Sequence, residues 1–198
     1  IDLSKTIVTI DAMGCQTSIT EKIIEGKGDY IIALKANQKH SLNLAKDMIS
    51  GFANRERRNI VSRCSTTDEG HGRHEQRDCI VVSYGNLMQN MFKDKFIGLK
   101  SIVGITSKRT IIATGETTEE TRYYITSLSN KDPEKIADAI RQHWSIENNL
   151  HWQLDFTFRE DDSRKVRNAA RNFSTITKMA LSILTVSYTH LTLPTNRE

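Results

Sequence analysis

Asp11 and Glu147 are the two acidic residues whose positions in the sequence suggest chemistry. Asp11 directly follows an apolar run and precedes a turn of small residues, and ligands gather at the carboxyl ends of strands in parallel α/β sheets. Glu147 lies in the middle of an apolar stripe on an expected helix. Because burying an unpaired carboxylate is costly, Glu147 is expected to be protonated, paired or metal-bound. Both acids are candidate metal ligands.

Each acid also has a purely structural interpretation. An aspartate that ends a strand often forms a turn or caps a helix. Glu147 could instead reach solvent through a helix bend at Asn148 and Asn149, or form a buried salt bridge. His143 and His151 lie four residues before and after Glu147 on nearly the same helical face. They could pair with the acid, contact a substrate or fill space, and the sequence leaves these alternatives open.

Two carboxylates on separate elements suit the binding of hard divalent ions. Mg²⁺ and Mn²⁺ take oxygen ligands, and two such ions can flank a phosphorus atom during in-line displacement. The ions would lower the pKa of the attacking water or hydroxyl and stabilise the leaving oxygen. A third carboxylate is normally needed, and none stands out between Asp11 and Glu147. A zinc site of unusual spacing is an alternative, with the ligands Cys64, His71, His74 and Cys79.

Basic residues near the end of the chain form another candidate surface. A helix expected after Ser163 would carry a stripe of basic side chains, namely Arg164, Arg167, Arg171 and Lys178. Its other face would pack through Val166, Ala170, Phe173, Ala180 and Leu184. Such a stripe is either simply solvated or contacts a phosphate backbone. The formal net charge of +4 permits a polyanionic partner without requiring one.

The composition is that of a globular chain. Its 198 residues, 37% apolar and 26% charged, can bury one substantial core. No apolar run approaches the roughly 20 residues that span a bilayer, and the first residues do not resemble a secretion signal. Three scattered cysteines do not make a disulfide framework. We therefore expect a cytoplasmic protein with no membrane segment.

The start of the chain predicts an α/β fold. A β-branched run at 5–10 and an apolar run at 30–34 read as strands, each followed by a helix. This order implies a right-handed crossover and a parallel pair of strands. The helix starts are predicted from the capping-box pair Ser18 and Glu21, from Asn37, and from Asp132 followed by a proline.

The predicted organisation has four parts. Residues 1–56 form the first part of an α/β core, and 57–128 form a mostly antiparallel β-rich insertion around a hairpin turn at 70–73. Residues 129–185 supply C-terminal helices that complete the core. Residues 186–198 abandon the helical pattern and are interpreted as an adapter-derived, non-native tail. We expect that the complete domain has a further strand ahead of residue 1 that is not part of this sequence.

Several segments together resemble the insertion-sequence transposases related to the H-repeat-associated proteins found beside Rhs elements. The matching segments are TIDAMGCQ (9–16), GDY (28–30), LKANQ (34–38), GR with Glu75 and Arg77, IRQHWSIENNLHWQLD (140–155) and FRED (158–161). They extend over nearly the whole chain, and the match is specific.

The resemblance implies a ribonuclease-H-like core with a three-carboxylate DDE site that binds two Mg²⁺ or Mn²⁺ ions. Asp11 matches the second aspartate and Glu147 the glutamate, while the family's first aspartate lies on an earlier strand. The core would therefore be incomplete, with its first strands missing, and this fragment is expected to be inactive alone. Where related transposases place Tyr, Arg and Lys around the glutamate, this chain has Ile140, His143 and Leu154, so those roles are not transferred.

The activity implied by the resemblance is DNA strand cleavage and strand transfer at the ends of an insertion element. The partners would be double-stranded DNA and other copies of the chain, as a homo-oligomer on the DNA. Candidate DNA contacts are His143, His151, Arg164, Arg167, Arg171 and Lys178. Two alternatives remain open: a non-catalytic DNA-binding remnant of a transposase, and a ribonuclease-H-like nuclease that cleaves without strand transfer.

Overall fold

The described elements are the strands of one six-stranded sheet and a set of helices. The computed structural model describes residues 2–53, 60–70, 72–83, 90–92, 96–146, 152–159 and 164–191. Its elements are β1 (Ile7–Ile10), α1 (Thr17–Glu25), β2 (Asp29–Leu34), α2 (Lys39–Phe52), β3 (Val61–Gly70), β4 (Arg73–Ser83), β5 (Ser101–Ile111), β6 (Thr117–Thr126), α3 (Pro133–Ile146), α4 (Trp152–Phe158) and α5 (Asn168–Leu191). Two compact units divide the chain, Ile1–His143 and Trp144–Glu198.

The six strands lie in the order β1-β2-β6-β5-β4-β3. β1 and β2 are parallel, which confirms the predicted pair, and every other neighbouring pair is antiparallel. The strands predicted within 57–128 therefore extend the sheet that β1 and β2 begin. β3 and β4 are joined by the predicted hairpin turn, in which Gly72 has a φ of +73°.

One face of the sheet forms the main apolar core with α1 and α2. Ile32, Ile125 and Ile102 are fully buried on neighbouring strands and pack with side chains of both helices, including Ile23 and Ile49. α2 passes so close to β5 that a Cβ added at Gly104 would lie 2.9 Å from Ile49 Cγ2. Glycine is therefore required at this crossing.

α3 lies on the opposite face of the sheet. Successive residues of a strand point to opposite faces, so the fully buried Ile31 and Val103 face away from the α1–α2 core. On the same face, Thr9 Oγ1 of β1 lies 3.1 Å from His143 Nδ1. Arg141 Nη2 of α3 also donates to Asp68 Oδ2 of β3 at 2.5 Å. α3 thus contacts the two edge strands of the sheet.

Two of the three predicted helix starts are wrong. α1 begins at Thr17, one residue before the expected Ser18 cap, and no side-chain hydrogen bond caps it. Asn37 does not cap α2, because a short 3-10 turn, Ala36–Gln38, intervenes and directs its side chain elsewhere. The third start is confirmed, since Asp132 Oδ1 accepts a hydrogen bond from the backbone N–H of Lys135 at 3.0 Å.

The second unit contains α4 and α5. α5 begins at Asn168, so Arg164 and Arg167 precede the helix on which they were predicted. The φ of Arg167 is +59°, which is incompatible with a right-handed helix at that residue. Val166 was expected to pack but is 72% exposed. α5 extends to Leu191, beyond the predicted boundary at 185.

The exposed surface of α5 is more apolar than the sequence predicted. Arg171 and Lys178 are exposed, as expected for the basic stripe. A second exposed stripe consists of the apolar residues Ile176, Met179 and Ile183. Within the described part of the chain, no helix has both the length and the apolar character needed to cross a membrane.

Candidate active site at the carboxyl ends of β1 and β2

Asp11 directly follows β1 and precedes the 3-10 turn Ala12–Gly14. Asp11 is the N-cap residue of that turn and has an extended backbone, but its side chain makes no N-capping hydrogen bond. A Cβ added at Gly14 would lie 2.3 Å from Ile10 Cγ2, which explains why the turn needs a glycine there. The side chain of Asp11 is 41% exposed and can be reached from solvent.

Lys35 directly follows β2 and forms an ion pair with Asp11. Its Nζ lies 3.2 Å from Oδ1 and 3.3 Å from Oδ2 of the carboxylate. Because β1 and β2 are parallel neighbours, their carboxyl ends lie side by side, and so do the residues that follow them. A cation therefore already lies against both carboxylate oxygens.

Two side-chain amides join the loops that follow β1 and β2. Asn37 Nδ2 donates to the carbonyl oxygen of Ala12 at 2.8 Å, and Gln38 Nε2 donates to that of Cys15 at 2.8 Å. With Lys35, the short segment 35–38 thus contacts the Asp11 loop at three points. We call this segment the β2 clamp.

His143 on α3 approaches the same strand end. Its hydrogen bond to Thr9 is partly buried, and Thr9 and Asp11 lie two positions apart along the chain. His143 also contributes to the lowering of the Asp11 pKa, although less than Ala12 and Lys35 do. The sheet and α3 therefore bring a carboxylate, an amine and an imidazole close together.

Several opposing effects set the pKa of Asp11. Its partial burial tends to raise the pKa of the carboxyl group, which disfavours the charged form. The backbone N–H of Ala12, the Lys35 ammonium and His143 act in the opposite direction and outweigh burial. The pKa of Asp11 therefore lies below its ordinary value of 3.8, and the group is ionised at neutral pH.

The chemistry of Asp11 fits one ligand of a divalent ion. Its oxygens are ionised, partly exposed and already paired with a cation, and Mg²⁺ prefers such hard oxygen donors. Within the described ranges, no group of three or more His, Cys, Asp or Glu side chains could hold a metal ion. Glu147 and His151, the other predicted residues of the site, lie outside the described residues.

The alternative zinc site is not formed by its described members. Cys64 and Cys79 are opposite each other on β3 and β4, but His74 is five positions from Cys79 on the same strand. An odd separation places His74 on the other face of the sheet. Burial raises the pKa of both thiols and so disfavours the thiolate form that binds zinc. His71 lies outside the described residues.

The family of the chain follows from its sequence match. Residues 1–183 match the family described as "Transposase DDE domain". The chain belongs to this DDE transposase family. The resemblance drawn from the motifs is thereby confirmed, and the mixed α/β fold with its six-stranded sheet is compatible with a DDE transposase domain.

Similar proteins are found in Escherichia coli. "Putative protein YbfL" and "H repeat-associated putative transposase YhhI" of strain K12 are each 40% identical over 189 residues, which cover 93% of this chain and 49% of the relative. "Putative transposase YncI" of strain O157:H7 is 39% identical over 188 residues, covering 93% of this chain and 47% of the relative. This transposase domain thus spans about half the length of the curated relatives it matches.

The predicted site residues of this DDE domain have different outcomes. Asp11 and His143 are brought together beside β1. The predicted DNA contacts on the C-terminal unit are exposed, namely Arg164, Arg167, Arg171 and Lys178, and their role stays a prediction. Sequence reasoning missed Thr9 and the β2 clamp as parts of the site. The signal was present, since the clamp lies in the matching segment LKANQ, directly after the parallel strand.

Proposed function

We propose that this chain is part of the catalytic domain of a DNA transposase that cleaves and joins DNA strands at the ends of an insertion element. Family membership and the names of the relatives support this proposal. The observation that carries it is the ionised Asp11 at the carboxyl end of β1, with α3 alongside. The proposed core is ribonuclease-H-like, with 57–128 as its β-rich insertion and 129–185 as its C-terminal helices.

Asp11 and Glu147 are the proposed metal ligands of this chain. Glu147 follows His143 by four positions, which is about one helical turn and the same helical face. The pairing of Glu147 with Asp11 in one site is proposed on the family resemblance of the segment 140–155. The third carboxylate of the site is proposed to lie on an earlier strand outside this chain.

The proposed ions are two Mg²⁺ or Mn²⁺, which when bound would activate a water or hydroxyl nucleophile and stabilise the oxygen that leaves phosphorus. Asp11 supplies oxygen ligands at a site open to solvent. His143 holds α3 against β1. His151 and the exposed basic residues of the C-terminal unit would contact the DNA backbone, which carries most of the affinity in such complexes. Two or more copies are proposed to act together on the DNA.

Metal binding by this chain tests the proposal directly. Mn²⁺ titrations, followed by calorimetry or by the paramagnetic resonance of free Mn²⁺, compare the wild-type chain with Asp11→Asn and Glu147→Gln. Each variant should bind Mn²⁺ at least roughly tenfold more weakly. Asp47→Asn, which removes an exposed carboxylate on α2, is the matched control and should bind as the wild type does.

Plasmid nicking tests whether the proposed third carboxylate, on a strand outside this chain, is needed for cleavage. The chain alone should not nick supercoiled DNA in Mg²⁺ or Mn²⁺, whereas a chain extended to the length of its relatives should nick it and join pre-cut element ends. Robust nicking by this chain that Glu147→Gln abolishes would show that the third carboxylate is dispensable. Unchanged Mn²⁺ affinity in both acid variants would overturn the proposed site itself.

A further inference from the structure

The β2 clamp contacts the Asp11 loop in two chemically different ways. Lys35 contacts the carboxylate itself, at 3.2 and 3.3 Å from its two oxygens. Asn37 and Gln38 do not contact the carboxylate and instead donate to backbone carbonyls of the loop, each at 2.8 Å. One contact therefore competes for the oxygens of Asp11, whereas the other two fix the backbone that carries it.

We infer that the β2 clamp sets the metal affinity of Asp11 through two opposing contributions. Asn37 and Gln38 are positioning residues that hold the Asp11 loop in place, and Lys35 occupies the carboxylate until a divalent ion displaces it. This inference rests on the proposed function, because it assumes that Asp11 binds a metal ion.

The geometry supports the amide half of the inference. The loop 11–16 contains a 3-10 turn, in which the backbone N–H groups of Gly14 and Cys15 donate to the carbonyls of Asp11 and Ala12. Gln38 is the N-cap residue of α2 but makes no side-chain capping hydrogen bond to that helix. Both amides are instead directed at the Asp11 loop, Asn37 at the carbonyl of the first residue of its turn, Ala12, and Gln38 at that of Cys15, which follows the turn. Partners that orient a metal ligand in this way strengthen metal binding, and their removal weakens it.

The geometry also supports the lysine half. An ammonium near both oxygens occupies the position that a divalent ion would take, and the two cations repel each other. The Lys35 side chain is 61% exposed, so it is free to swing into solvent when it is displaced. The displaced ammonium is then available to pair with a phosphate of the DNA backbone.

The test uses the intact chain and nearly isosteric variants that remove one contact each. Lys35→Met should bind Mn²⁺ about threefold more tightly than the wild type, as expected for the loss of an exposed ion pair. Asn37→Leu and Gln38→Met should bind about threefold to tenfold more weakly. The opposite signs matter, because a general loss of structure would weaken binding in all three variants.

Two controls make the result specific. Lys39→Met removes the same charge from an exposed lysine four positions away and should change the Mn²⁺ affinity much less than Lys35→Met. Amide hydrogen exchange in the absence of metal, followed by mass spectrometry on peptides covering 11–16, should be faster in Asn37→Leu and Gln38→Met but not in Lys35→Met. This second readout does not depend on metal binding or on activity.

The outcomes separate the clamp from the proposed function. If Asp11→Asn weakens Mn²⁺ binding but the clamp variants all bind as the wild type does, the inference about the β2 clamp is wrong and the proposed function stands. The inference is also wrong if the lysine and amide variants change the Mn²⁺ affinity in the same direction. If Asp11→Asn leaves Mn²⁺ binding unchanged, the proposed metal site fails, and the clamp fails with it.

Discussion

Thr9 Oγ1 and His143 Nδ1 lie 3.1 Å apart, and this partly buried hydrogen bond joins β1 to α3 two residues before Asp11. The two residues are 134 positions apart in the sequence. The contact therefore links the first strand to the helix that leads towards Glu147. Its loss should affect both the stability of the chain and the geometry of the candidate site.

Thr9→Val keeps the shape of the side chain and removes the hydroxyl group. The variant should unfold with a free energy about 1 kcal/mol lower than the wild type, because a partly buried hydrogen bond contributes about that much. Urea unfolding followed by circular dichroism measures the difference. Thr118→Val, on an exposed part of β6, should change the free energy by less than about 0.5 kcal/mol. Equal effects of the two substitutions would contradict a specific role for the Thr9 contact.

The stability of the chain should depend on pH through Asp11. The pKa of Asp11 is lowered in the folded chain, so its ionised form stabilises the fold above its ordinary pKa of 3.8. That contribution is lost as the pH falls through the lower, folded-state pKa. In metal-free buffer, the wild type should have a higher free energy of unfolding than Asp11→Asn. This difference should be constant above about pH 5 and shrink below it.

A matched background isolates the cause of this pH dependence. The same comparison is made in chains that carry Lys35→Met, with either Asp11 or the Asp11→Asn substitution. The difference in their free energies of unfolding should change less with pH, because Lys35 is one of the groups that lower the pKa of Asp11. Free energies of unfolding measured at several pH values give both comparisons. An advantage that grows as the pH falls would mean that the pKa of Asp11 is raised on folding.

Gly104→Ala should destabilise the chain where α2 crosses β5. The new Cβ would lie 2.9 Å from Ile49 Cγ2 and 3.3 Å from Ile80 Cγ2, and overpacking of this kind costs about 1–3 kcal/mol. Gly51→Ala, near the end of α2, meets nothing within 4 Å and should stabilise by up to about 1 kcal/mol through helix propensity. The midpoint temperature of thermal unfolding should therefore fall in Gly104→Ala and rise in Gly51→Ala. A shift in the same direction in both variants would argue against the close crossing of α2 and β5.

Patterns of local sequence predicted the parts of the fold that depend on local chemistry. The β-branched run before Asp11, the parallel pairing with 30–34 and the aspartate cap of α3 all follow from short segments, and all three are confirmed. The family could be identified from the sequence because its motifs are specific. Asp11 could be proposed as a site residue because an acid that follows a strand and precedes a small-residue turn is a local signal, and its role as a metal ligand stays a prediction.

The missed features depend on contacts between distant segments. Lys35 and Asn37 look like a solvated lysine and a helix cap until the register of β1 and β2 brings them to the Asp11 loop. The helical placement of the first two basic residues of the stripe was wrong for a related reason. Periodicity placed Arg164 and Arg167 on a helix, but the helix begins only at Asn168. Periodicity alone does not fix where a helix starts.

α3 contacts β1 through His143 and β3 through Arg141, although these strands are the two edges of the sheet. The two side chains are only two positions apart, so they point to nearly opposite sides of α3. Detaching either edge strand from the sheet therefore also costs a side-chain contact with this one helix.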